Sequence, residues 1–265
     1  RGALGTLNAE TVLLHAKGGG HFPPEKPYGI GLSRLNAAHD LAWERPGLYF
    51  EGTHFVDKKY AYCFDKSDFF VLDLATGNTV KRIRIRGTGS IVAFDQTKGR
   101  YNPSASPSRL KSRHLLTHRT NIGVGRYHFF MGGEPGILGR IDVKTDNVSY
   151  LQVPVQVVVE NGTRTFRWSE FTSGDDTGSG FVVEGDKRRL SHGFGHISAA
   201  TPIVVNNHIY FSTVLGTVYV VDATAKRFDA KSLVAVNDLG LPGATWTLSP
   251  FTASNGRLYQ RTSRE

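Results

Sequence analysis

Histidines are the first residues in this sequence with obvious chemical potential. His114 and His118 stand four apart, and His192 and His196 repeat that spacing in "HGFGH". Four residues put two side chains on one face of a helix or of a strand. Two such pairs, if the fold brings them together, have the imidazole nitrogens that metals favour. Neither pair has the acidic neighbour of an H-E-x-x-H helix. No metal ligand is therefore assigned, and the histidines enter as candidate ligand-binding groups.

The richest stretch is "THRTNIGVGRYHFFMGGEPG", residues 117 to 136. It offers His118, Arg119, Asn121, Tyr127 and His128 among glycines that let a backbone approach a ligand closely. A loop of this size on a rigid scaffold is a common place for binding. Together with His192 and His196, these five are the candidate ligand-binding residues. His and Tyr beside Arg are also the types an enzyme needs to handle an acidic sugar, with acid, base and a cation for the carboxylate. The plainer alternative is a long hairpin whose aromatics pack on a neighbouring sheet. No catalytic residue is assigned.

Other signals exclude more than they suggest. Cys63 is the single cysteine, so no internal disulfide forms, and its apolar run "YAYCFD" marks a buried thiol. "HAKGGGHF" lacks the spacing of a phosphate loop. There is no G-x-S-x-G elbow. Net charge is +9, but the basic residues are scattered and form no nucleic-acid-binding motif. Sequence-specific nucleic-acid reading is not expected, whereas a polyanionic ligand suits the charge. No apolar run approaches the roughly 20 residues of a membrane helix. The chain begins at Arg1 and reads as a processed chain or a piece of a longer one.

The elements that must position these residues are strands. "PIVVNNHIYFSTVLGTVYVVDATAKRFD", residues 202 to 229, reads as strand, Asn-Asn turn, strand, Gly turn, strand and an acidic turn. "DKKYAYCFDKSDFFVLDLATG", residues 57 to 77, is a second copy. A third ends at Asp142, after "LGRID". Asp73-Leu74-Ala75-Thr76-Gly77 is the intact form of the shared ending, and the endings at Asp142 and Asp222 are degraded. Asp and Thr side chains hold such a turn by bonding nearby backbone N–H groups. "IVAFDQTKGR" and residues 151–196 are expected to hold extra hairpins. "GIGLSRLNAAHDLAWE", residues 29–44, is the one place where a short helix is expected.

These repeats resemble those of the PQQ-like β-propeller superfamily, from about Tyr49 onward. That superfamily includes the outer-membrane assembly lipoprotein of the BAM complex and the quinoprotein alcohol dehydrogenases. The C-terminal part also resembles uncharacterised planctomycete proteins with PQQ-like repeats. The resemblance implies an all-β fold, a β-propeller of four to seven blades of four-stranded antiparallel sheets, as a single domain over 1–265 within a larger protein. The first strands, Arg1–Thr11, would then pair with the last, Asn255–Glu265, to close a ring. The resemblance does not carry quinone chemistry over. The docking Trp of quinoproteins lies eight residues after the signature Asp, where this chain has Lys81, Tyr150 and Ala230, and a vicinal disulfide needs two cysteines. No cofactor is expected. Trp43, Trp168 and Trp246 are expected to pack between blades or line one face.

The expected role is a non-catalytic binding or scaffold domain of a bacterial extracytoplasmic protein, periplasmic or secreted. It would bind a protein or glycan through the 118–134 and 192–196 loops. The alternative is a lyase or hydrolase, metal-dependent or not, acting on an anionic polysaccharide.

Overall fold

The computed structural model describes residues 2–6, 11–17, 28–34, 40–48, 55–65, 67–105, 121–132, 136–168, 200–213, 216–240, 247 and 249–262. The chain forms two compact units, Arg1–Arg86 and Gly87–Glu265. Apart from one short 3-10 turn, Ala230–Ser232, every described element is a β-strand.

The first unit contains two four-stranded sheets. One runs β1 (Gly2–Thr6), β2 (Thr11–Lys17), β3 (Tyr28–Arg34), β4 (Leu41–Pro46). The other runs β5 (Phe55–Val56), β6 (Tyr60–Phe64), β7 (Asp68–Asp73), β8 (Thr79–Arg84). Each strand pairs antiparallel with the next in sequence. Central strand β7, "DFFVLD", is buried along nearly its whole length, as a strand covered on both faces must be. Leu13, Ile30 and Leu32 pack with Ala61, Cys63, Phe70 and Leu72. Burial pushes the Cys63 thiol well above its usual range, so it is packing and not a nucleophile.

In the second unit, the strands are β9 (Ser90–Asp95), β10 (Arg100–Ala105), β11 (Asn121–Val124), β12 (Tyr127–Met131), β13 (Ile137–Asp142) and β14 (Asn147–Gln152). They form one sheet, ordered β10-β9-β14-β13-β12-β11. Strands β11 to β14 are again an antiparallel meander. The β9–β10 hairpin is appended to its last strand, with β9 parallel to β14. Next come a separate hairpin, β15 (Gln156–Glu160) and β16 (Thr163–Arg167), and a further four-stranded meander. The meander is β17 (Ile203–Val205), β18 (His208–Ser212), β19 (Thr217–Asp222) and β20 (Leu233–Asp238). A two-stranded sheet ends the chain, β21 (Thr252–Ser254) and β22 (Arg257–Tyr259). Asn161-Gly162, Asn206-Asn207 and Asn255-Gly256 all have positive φ at both positions. That is the turn that joins two twisted strands most tightly.

Three expectations are corrected here. Of residues 29–44, the described ones, 29–34 and 40–44, fall in or beside strands β3 and β4 and not in a helix, because Ile30 and Leu32 alternate onto the core side of a strand. Within the 118–134 segment, residues 121–132 are not an overgrown loop. The segment's described part is the β11–β12 hairpin, turning at Gly125-Arg126, the regular first half of a meander. Among the described residues, the expected pairing of Arg1–Thr11 with Asn255–Glu265 is not seen either. The former begin a sheet that β1 to β4 complete by themselves, and β21 and β22 form their own two-stranded sheet.

Candidate functional site

Two turns show how neighbouring sheets are joined. At the first, Asp73 Oδ1 accepts from the backbone N–H groups of Ala75 and Thr76 and from the Thr76 hydroxyl. The turn so held presents its carbonyls to β4. Trp43 Nε1 donates to Leu74 O at 2.7 Å, and Arg45 donates to Gly77 O at 2.6 Å. Trp43 thus packs between two sheets, as expected of it, while the three later repeats still lack a Trp at the quinoprotein docking offset. At the second turn, Asp222 Oδ1 accepts from the Thr224 backbone N–H and hydroxyl. Here β13 supplies the docking group: Arg140 donates to Ala225 O at 2.5 Å and to Lys226 O at 3.4 Å. Its guanidinium lies 4.4 Å from the centre of the Tyr127 ring and 5.2 Å from that of Phe228.

These contacts account for the candidate residues within the described chain. His128 is 1% exposed and Asn121 5%. They face each other, with His128 Nε2 3.0 Å from Asn121 Oδ1, so this nitrogen carries the proton and donates. Burial pushes the imidazole down to about 3, which keeps it neutral. Both side chains are interior polar groups of the β11–β12 hairpin. Tyr127 is half-buried between Arg140 and Arg126, and Arg126 in turn pairs with Asp142 at 2.5 Å. His118, Arg119, His192 and His196 lie outside the described residues, as does His114. Among the described residues, no group of three His, Cys, Asp or Glu is placed to hold a metal. No described helix is long and apolar enough to cross a membrane.

A different site emerges beside β20. Phe94 and Tyr101 are cross-strand partners in the β9–β10 hairpin. The Phe94 ring stacks on Trp168 at 3.8 Å with planes 3° apart, and Tyr101 meets Trp168 edge-on at 5.6 Å. Trp168 follows directly on β16. The β15–β16 hairpin is rooted by Tyr219, whose hydroxyl donates to Pro154 O at 2.6 Å, and by Thr217, whose hydroxyl donates to Val155 O. Arg164 reaches from β16 to donate to the Val236 carbonyl on β20, and its guanidinium lies over Phe166. Between these elements is a groove of about 600 Å³. Phe166 on its wall is 43% exposed and Val234 on its floor 53%. Burial pushes the Tyr101 phenol up to about 12. Neither its hydroxyl nor the Trp168 indole N–H has a hydrogen-bond partner among the described residues.

Comparison with known proteins gives folds without a name. No protein-family model matches the chain. No curated protein matches it. Among solved structures, apo AztD from Citrobacter koseri aligns at 10% identity over 97% of this chain and 52% of its own, TM-score 0.46. The Cps50 (Swd1) β-propeller domain of Myceliophteria thermophila aligns at 10% identity over 93% and 58%, TM-score 0.45. BamB from Moraxella catarrhalis aligns at 15% identity over 99% and 91%, TM-score 0.26. The chain thus spans little more than half the length of the first two. What decides the fold is the chain itself, with successive four-stranded meanders docked turn to strand. The sheets are β-propeller blades. Four complete blades are described: three independent four-stranded sheets and the β11–β14 meander.

Proposed function

We propose that this β-propeller chain is a non-catalytic binding domain whose ligand sits in the aromatic groove beside β20. One observation carries the reading. Four aromatic side chains from two hairpins converge on one open groove, and two of them carry hydrogen-bond donors with no partner among the described residues. Its volume falls in the range of about 300–1,000 Å³ usual for ligand sites. An apolar surface with a few aimed polar groups is also the usual anatomy of such sites.

The Asp73–Gly77 turn with Trp43 docked on it supports placing the chain among PQQ-like repeat proteins of the bacterial cell envelope, periplasmic or secreted. The loop residues His118, Arg119, His192 and His196 remain candidates for widening the binding surface. Fractionation of cells making the full-length protein tests the compartment. Glycan and peptide arrays probed with the wild-type chain and with Trp168→Ala test the site. Binders that the variant loses support the groove, and a full set of binders kept by the variant overturns it.

A further inference from the structure

On the reading that the groove beside β20 is the ligand site, we infer that its ligand is an acidic polysaccharide, a chain whose sugar rings bear carboxylates. Three observations lead there.

The first removes the main competitor. An extended peptide would add to the free edge of β20, where backbone N–H and C=O groups supply most of the affinity. That edge is already taken at its centre, because Arg164 donates to the Val236 carbonyl and reaches Asn237 Oδ1. A peptide strand would first have to displace a guanidinium.

The second concerns the groove's polarity. What it offers are ring surfaces and donors. Phe166 and Trp168 give apolar area of the kind on which the C–H face of a sugar ring stacks. The Tyr101 hydroxyl and the Trp168 N–H, with no partner among the described residues, can bond oxygen atoms, of which a sugar has many.

The third is charge. Arg164 lines the groove, on the same face of β16 as Phe166. Tyr101 also lines a second recess, with Asp95, Lys98 and Arg100. Asp95 pairs with Lys98 at 3.3 Å and accepts from Thr97, and Asp238 lies in the field of Arg164. Lys98, Arg100 and Arg164 stand here against Asp95 and Asp238, three cations to two acids, and the whole chain carries +9.

The test uses the full chain and four probes: oligogalacturonate, oligoalginate, methyl-esterified oligogalacturonate and polyglutamate. Binding is followed by calorimetry and tryptophan emission. At least one of the two uronate oligomers is expected to bind, with affinity falling about tenfold on esterification and about tenfold again in Trp168→Ala. Phe166→Ala, on an exposed position that leaves the ring stack intact, should lose a similar factor and guards against a folding defect. Equal binding of the ester, or polyglutamate binding that ignores both substitutions, overturns the acidic-sugar inference. Failure of both uronates, with a Trp168-dependent peptide found on the arrays, overturns it while leaving the groove as the ligand site. Only the absence of any Trp168-dependent binder would remove both.

Discussion

The two docked turns solve one problem in two ways. Each is a turn pinned by an aspartate, and each offers backbone carbonyls to a neighbouring sheet. In the first unit the acceptor is covered by an indole, and the turn ends in Gly77 at φ +72°. A Cβ there would stand 2.6 Å from the Trp43 ring. In the second unit the position four after the aspartate is Lys226, which lacks a positive φ, and its carbonyl is met by the Arg140 guanidinium. An indole laid flat on a turn demands a bare backbone beneath it. A guanidinium arriving end-on needs only the carbonyl oxygens, so the turn is free to keep a side chain. The decayed ending of the later repeat is thus matched by a different docking group.

The sharpest break in this comparison is Gly77→Ala. It is expected to cost about 3 kcal/mol, strain and clash together. Gly87→Ala, at the same φ of +72° but with open space around its Cβ, should cost only about 1 kcal/mol. In a Trp43→Ala background the Gly77 cost should fall to the Gly87 value, a coupling that urea melts of the double-mutant cycle would measure. Arg140→Leu comes next. It removes the charged donor from two carbonyls and should cost about 2 kcal/mol, read from the same melts.

Acid should weaken the second unit through His128. The folded imidazole titrates near 3, while the unfolded one titrates near 6.5. The unfolded chain therefore binds the proton first as pH falls, and stability is full above 6.5 and lost progressively below it. Between pH 7 and 5 the loss should be about 2 kcal/mol, and it should vanish in His128→Gln. Urea midpoints at the two pH values decide the point. The smallest effect is expected from Thr224→Ala, which takes from Asp222 the hydroxyl that chiefly holds its carboxyl below the usual range. It should cost about 0.5 kcal/mol and slightly raise the pH at which the turn loosens, measurable by carboxyl NMR titration.

Much of this was visible in residue types. "YAYCF" and "HIYFS" announced β6 and β18, and the Asn-Asn pair announced the turn between β17 and β18. The extra hairpins near Asp95 and after Leu151 were also legible, from alternating apolar residues and Asn-Gly. The β3–β4 region misled because Leu32 and Leu35 fit a helical spacing as well as Ile30 and Leu32 fit a strand. The β11–β12 hairpin misled because its glycines suggested a loop, although Gly123 lies within a strand and only Gly125 makes the turn. The groove was hidden for another reason. Phe94 and Trp168 meet only because one hairpin is appended to β14 and another is rooted on β19, and no local pattern announces either placement.

The appended hairpin also has a kinetic consequence. β9 is held to its sheet by a parallel ladder to β14, and Phe94 N–H bonds a Gln152 side chain 58 positions later. Such distant closure is slow compared with the hairpin meanders that must precede it. The stacked pair of Phe94 and Trp168 therefore completes late during refolding. In a stopped-flow experiment, Trp168 emission should lag behind backbone ellipticity, so that the ligand groove is the last part of the second unit to become native.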